Sequence, residues 1–235
     1  MRRTHLAAYF FALGILVCGA RAARAQDDSR GWEAGGQFSA FNVTNGSVPG
    51  DAFTNGAEQR GTEPGFGGRV GYNFNRSLAA EAEVNFFPRE RALDDPNFTG
   101  GRKLQGLFGV KVGRRFEHFG LFAKARPGFV RFHDGDLQFR TDSACIAIFP
   151  PPLACFESVR RTDFAFDAGG VLELYPSRHA VIRIDAGDTM LRSRAHNVPG
   201  REQFTPSGPT FPTIFGVPAA TTHNFQGSVG VAYRF

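Results

Sequence analysis

The sequence predicts an all-β fold: a transmembrane, eight-stranded, antiparallel up-and-down β-barrel. Three observations predict it. Apolar residues recur at every second position in eight separate stretches. The connections between those stretches alternate between long and short. No stretch beyond the first 25 residues is apolar for long enough to cross a membrane as a helix.

The first element is a leader. Arg2 and Arg3 precede an apolar run from Leu6 to Ala20, and Ala23 and Ala25 form the small-x-small pattern of a signal-peptidase site. Residues 1–25 therefore read as a cleaved signal peptide and residues 26–235 as one barrel domain. The apolar run is short for a membrane-anchoring helix. A lipoprotein signal at Cys18 is disfavoured by Val17, which stands where a small residue is wanted. The leader holds Arg2, Arg3, Arg21 and Arg24 and no acid, so cleavage lowers the formal charge from +5 to +1. Without a basic excess to neutralise phosphates, a nucleic-acid partner is excluded.

The eight expected strands lie near 31–43, 65–75, 77–87, 102–114, 119–131, 162–175, 179–190 and 223–235. The second carries Phe66, Gly68, Val70, Tyr72 and Phe74 on one face, and the third Leu78, Ala80, Ala82, Val84 and Phe86. The fourth has Leu104, Gly106, Phe108, Val110 and Val112, and the sixth Phe164, Phe166, Ala168, Gly170, Leu172 and Leu174. Each is about the 9–11 residues that a tilted membrane strand needs. The connections at 75–77, 115–119 and 176–178 are short, whereas 44–64, 88–101, 132–161 and 191–222 are long and polar. This is the layout of an outer-membrane barrel, with turns in the periplasm and loops outside.

The faces separate this reading from a soluble barrel of the lipocalin type, which turns its apolar face inward. One face here carries Glu33, Arg69, Glu81, Glu83, Lys103, Lys111, Lys124, Arg126, Asp163, Asp167, Glu173, Arg183, Asp185 and Arg234. The other reads as free of charge over the middle of every strand, as hydrocarbon requires. Aromatic residues gather at the strand ends: Trp32, Tyr72, Phe74, Tyr233 and Phe235 on the turn side, and Phe86, Phe87 and Phe129 on the loop side. They suggest two interfacial girdles.

An eight-stranded barrel is only wide enough to be filled by its own side chains, so the charged face is expected to pack into a lumen network. With a three-residue turn at 75–77, Val70 faces Ala82 and Arg69 faces Glu83, so that Arg69 would serve both Glu83 and Glu81. Lys111, Lys124 and Asp167 extend the network. Pro127 cannot donate to a ladder, and a closed barrel has no edge to hide it, so a bulge is expected at 126–128.

The last strand carries Phe225, Gly227, Val229, Val231, Tyr233 and Phe235 on one face. Ending on Phe235 with Tyr233 two places earlier resembles the closing strand of bacterial outer-membrane barrels. The segment VIRIDAGDTML (181–191) resembles the seventh strand of such barrels. Residues 26–235 as a whole resemble the small barrels related to the transmembrane domain of outer membrane protein A. The resemblance implies export through the periplasm to the outer membrane of a Gram-negative-type bacterium. It also implies that Tyr233 and Phe235 form a signal read by the barrel assembly machinery. The sequence stops at Phe235, so the peptidoglycan-binding activity of larger relatives is not carried over.

Candidate chemistry is sparse. Ser193 and His196 share the last long stretch, but the tighter His-x-Ser arrangement of lipid A-modifying barrels is absent. HDGD (133–136) and DDPN (94–97) read as turn sequences rather than calcium ligands, and Glu81 with Glu83 as a buried salt-bridge pair rather than paired acid catalysts. No catalytic activity, cofactor or metal is expected. Cys145 and Cys155 are expected to form a disulfide in the third long stretch. Between them Ile146, Ile148, Phe149 and Leu153 make an apolar tip, a candidate for contact with a surface ligand or with lipopolysaccharide. The expected role is structural or adhesion-like, with outer-membrane lipid and lipopolysaccharide as surroundings. A narrow diffusion pore and a lipid A-modifying enzyme are the alternatives.

Overall fold

The computed structural model describes residues 31–47, 58–91, 98–139, 155–203 and 210–235. The expected signal peptide lies outside them. Eight strands close into one antiparallel barrel: β1 (Gly31–Ser47), β2 (Glu58–Asn73), β3 (Leu78–Phe87), β4 (Lys103–Arg115), β5 (Phe119–Phe139), β6 (Phe156–Leu174), β7 (Ala180–Ser193) and β10 (Ala220–Arg234). Each strand pairs with its sequence neighbour in the barrel, and β1 pairs with both β2 and β10, which closes the cylinder. Closure leaves no unpaired edge, the condition for a sheet in hydrocarbon. Two further strands, β8 (His196–Gln203) and β9 (Thr210–Val217), form a separate hairpin on the loop side.

Register follows the turns. Arg69 pairs with Glu83 and Val70 with Ala82, and the Phe74 amide donates to the Leu78 carbonyl across the 75–77 turn. The Asn75 side chain accepts from the Ser77 and Leu78 amides and fixes that turn. On the loop side the strands run further than their alternation suggests. β5 and β6 stay paired out to Phe139 and Phe156, with a register shift between Phe132 and Asp136, and β1 and β2 shift between Thr44 and Gly46. Beyond the lipid the backbone still needs hydrogen-bond partners. The side chains no longer need to alternate, so the period-two signal stops before the strand does.

No bulge forms at 126–128. The β4–β5 register is the same on both sides of Pro127. The ladder skips the positions of Phe108 and Gly109, opposite Pro127 and Arg126. The proline lacks the N–H for that rung, and glycines let the backbones close around the gap. A Cβ on Gly109 would fall 2.2 Å from the Ala125 carbonyl oxygen, and one on Gly128 2.0 Å from that of Gly106.

Outward side chains form the lipid-facing belt. On the turn side Trp32, Tyr72 and Phe74 make a continuous aromatic row, with centroids 5.1 and 5.3 Å apart. Tyr233 lies between His179 and Phe235. Phe87 does not join the loop-side girdle. It alternates with Phe86, points into the lumen and packs on Phe41 at 5.4 Å. The outward face also holds a carboxylate, Asp188, on a face that alternation in the sequence leaves uncharged. It pairs with His223 and accepts from the Asn224 amide.

Candidate functional site

The interior of the barrel is the candidate site, and it is built in layers. At the turn side, β1 contributes Glu33, β4 Lys111 and Arg115, β10 Arg234, and the end of β6 Glu173 and Tyr175. Lys111 bridges Glu173 and Glu33. Arg115 reaches Glu33 at 3.7 Å and Glu173 at 3.6 Å, and Arg234 donates to Glu33 at 2.8 Å. The Tyr175 hydroxyl accepts from Arg115 and donates to Glu173, both at 2.9 Å. The guanidinium groups of Arg115 and Arg234 lie 5.4 and 5.0 Å from its ring centroid. That cluster lies at the turn-side mouth.

The next layer is held by two arginines. Arg183 grips Glu81 through both terminal nitrogens, at 2.6 and 2.9 Å, and also reaches Asp185 at 2.7 Å. Arg126 bonds Glu83 at 2.6 Å, Glu81 at 3.1 Å and Asp167 at 2.8 Å. Lys124 bridges Asp167 and Asp185. Forked, charge-assisted bonds of this kind are the strongest side-chain contacts available. They matter here because a buried charge without a partner is costly.

The structure therefore joins Glu81, Glu83, Lys124 and Asp167 in one cluster and places Lys111 in the turn-side layer. It corrects the role expected of Arg69. Arg126 serves both Glu81 and Glu83, while Arg69, although in register with Glu83, bonds Gln37 at 3.4 Å and makes no ion pair within 4.0 Å among the described residues. Pairing across a ladder sets Cα neighbours, but a long side chain in a narrow lumen bonds across the barrel. Arg126, Arg183, Asp185, Glu173 and Glu33 were legible as members of the charged face but not as its hubs.

Above the charges lies a belt of amides and hydroxyls. Gln37 donates to Asn85, Asn85 to Gln105, and Gln105 to Gln226, at 2.8–2.9 Å. Thr189 ties Gln226 back to Asp167. The belt gives way to an apolar cluster of Phe41, Val43, Phe87, Leu107, Val130, Phe132, Ala165 and Leu191, none more than 2 % exposed. The lumen is thus not polar throughout. On β1 the inward row runs Glu33, Gln37, Ser39, Phe41, Val43, and on β3 Glu81, Glu83, Asn85, Phe87. Each strand turns apolar toward the loops on the face that is charged lower down.

Smaller polar groups cap the cluster. Glu63 accepts from Thr99 at 2.6 Å with Lys103 at 3.8 Å, and Lys103 also donates to the Gly101 carbonyl. Gly100 and Gly101 adopt φ of 90° and 69°, a left-handed turn open to glycine. Arg161 pairs with Asp163 and covers the Phe132 ring. The β8–β9 hairpin is anchored where Asn197 bonds Asp136 and the Leu137 carbonyl.

Ser193 donates to the Ala220 carbonyl, and His196 Nδ1 to the Arg194 carbonyl. Among the described residues no cluster of metal-ligating side chains occurs, and 94–97 lies outside them. Tyr233 and Phe235 point outward, with the Phe235 amide bonded to the Trp32 carbonyl. Cys155 is disulfide-bonded; its expected partner Cys145 and the tip residues Ile146, Ile148, Phe149 and Leu153 lie outside the described residues.

Among solved structures the chain is similar to the outer membrane protein OprG from Pseudomonas aeruginosa, at 16% identity, covering 91% of this chain and 99% of that one with a TM-score of 0.47. It is similar to Neisserial surface protein A at 9% identity, covering 87% and 97% with a TM-score of 0.45. It is also similar to Ail, the attachment invasion locus protein of Yersinia pestis, at 16% identity, covering 86% and 98% with a TM-score of 0.38. No curated protein sequence matches it significantly. The model of the outer membrane protein beta-barrel domain matches residues 10–235, so the chain, with its closed eight-stranded barrel, belongs to that outer-membrane family.

Proposed function

We propose that this protein is a closed, non-conducting outer-membrane barrel whose role is structural or one of contact through its loop-side face. The observation that carries the reading is the filled lumen, where cross-linked ion pairs lie beneath an apolar cluster that excludes water. Ser193 and His196 are each engaged by a backbone carbonyl, which favours a barrel without a reaction. In this reading residues 1–25 direct export through the periplasm, and Tyr233 and Phe235 engage the barrel assembly machinery. Cys145 and Cys155 close the third external stretch, whose apolar tip touches a surface ligand or lipopolysaccharide. Planar-bilayer recording of the purified protein tests the central claim. Baseline conductance is expected, and a steady, large conductance overturns it. Deleting 145–155 should abolish surface binding, and deleting Phe235 should reduce the heat-modifiable, assembled form.

A further inference from the structure

The loop-side end of the outward face is not uniform around the barrel. On β4, β5, β7 and β10, the position two places beyond the last apolar outward residue is basic. Leu104 is followed by Arg102, Phe129 by Arg131, Met190 by Arg192, and Phe225 by His223. On β6, Phe164 is followed by Thr162 and then Arg160. The other wall differs. On β1 and β2, and just past the end of β3, the corresponding positions hold Asn42, Thr62 and Pro88; a single arginine, Arg60, follows Thr62 on β2, and Arg89 is turned onto the Thr62 carbonyl.

Register brings the basic positions together. Arg131 pairs with Thr162, and Arg192 with both Phe164 and Thr221. Arg131 and Arg192 thus flank β6 from two strands apart, about 10 Å laterally, with Arg160 and the Thr162 hydroxyl between them. Arg131 and Arg160 have no hydrogen-bond or ion-pair partner among the described residues. Arg192 makes one long bond, 3.4 Å, to Thr221. Two acids of this wall are engaged, Asp188 by His223 and Asn224 and Glu90 by Arg102, and the exposed Glu157 stands three residues before Arg160 on β6. Arg131 lies two places beyond the exposed ring of Phe129, and Arg192 is in register with the exposed Phe164.

We propose that this wall, through Arg131, Arg160 and Arg192 with Thr162 and Thr221, binds the phosphate groups of a phosphorylated outer-leaflet lipid. The proposal rests on the outer-membrane reading for which leaflet the loop side meets. Guanidinium groups suit the ligand because they bond phosphate oxygens in pairs and stay charged at a membrane surface. Apolar chains of the same lipid would lie along the phenylalanine rings below.

The test is native mass spectrometry of the full barrel released from nanodiscs containing diphosphorylated lipid A or its dephosphorylated form. The wild type should retain the phosphorylated lipid and lose the dephosphorylated one. The Arg131→Gln/Arg160→Gln/Arg192→Gln variant should retain about tenfold less phosphorylated lipid, the loss of roughly one charge-assisted bond or more. Arg60→Gln, on the other wall, should retain as much as wild type. All three arginines point away from the lumen, and an unboiled gel shift reports whether the variant folds; the wild-type comparison of two lipids needs no variant. Equal retention of both lipids, or undiminished retention by the triple variant, overturns the proposal. Displacement of the lipid by millimolar inorganic phosphate would assign the site to the free ion and overturn the lipid assignment. Retention is read whether or not the barrel conducts, so an open pore would defeat the closed-barrel reading alone.

Discussion

The two halves of the lumen solve one problem in opposite ways. The turn-side half fills the space with charge, and each buried carboxylate there has cationic partners reaching from other strands. The loop-side half fills it with hydrocarbon, in which Phe41, Phe87, Leu107 and Phe132 need only contact. Ion pairs in a confined interior are demanding, because losing one partner strands the others. Apolar packing is forgiving of partner identity and sensitive to volume. The contrast teaches that the inward face of a small barrel is not one environment, even though a single alternation pattern writes all of it.

The sharpest way to break the contrast is Arg126→Met. It strips Glu83, Glu81 and Asp167 of a shared guanidinium and should lower stability by about 3–5 kcal/mol, read as the midpoint of urea unfolding in detergent. A loss under about 1 kcal/mol would mean that the charged half is no more fastidious than the apolar one. Next comes Leu107→Ala, which should cost about 2–5 kcal/mol through its cavity while leaving the conductance at baseline, because the charges beneath still fill the lumen. The border between the halves can be probed at the amide belt. Gln105→Leu alone should cost about 1–3 kcal/mol by leaving the Gln226 Nε2 donor without its partner and removing one of Asn85's bonds, and adding Gln226→Leu should recover part of that loss. The smallest effect belongs to Arg69→Met, about 1 kcal/mol for a single hydrogen bond. A loss as large as that of Arg126→Met would restore Arg69 to the centre of the network.

These contrasts also show what was legible beforehand. β3 was readable almost to the residue, because it is short and alternates throughout, and its register with β2 followed from the 75–77 turn. The outer parts of β5 and β6 were not. From His133 to Phe139 the side chains answer to a hairpin beyond the lipid, so their order carries no period of two. The charged face could be assigned from sequence, but its bonds could not. Arg183 on β7 meets Glu81 on β3 across the barrel, and that meeting depends on strand stagger rather than on spacing. Asp188 escaped notice because its neighbours Ile184 and Ala186 set an apolar pattern that it interrupts near the loop-side end. The apolar cluster was hidden for a simpler reason: Phe87, Val130 and Leu191 look like any other greasy residue of a membrane strand until their direction is known.

Tyr175 with its two arginines at one mouth and the apolar cluster at the other have a joint consequence for ionic strength. Mobile ions weaken charge pairs only where they can approach within a Debye length through water, about 8 Å at physiological salt. Here the approach from one side crosses a layer of hydrocarbon and from the other a layer in which Tyr175 packs against Arg115 and Arg234. The barrel wall itself is surrounded by lipid. The internal charges are therefore insulated from the surrounding medium, and the pairs that hold the turn-side half together keep their strength in fresh water and in brine alike.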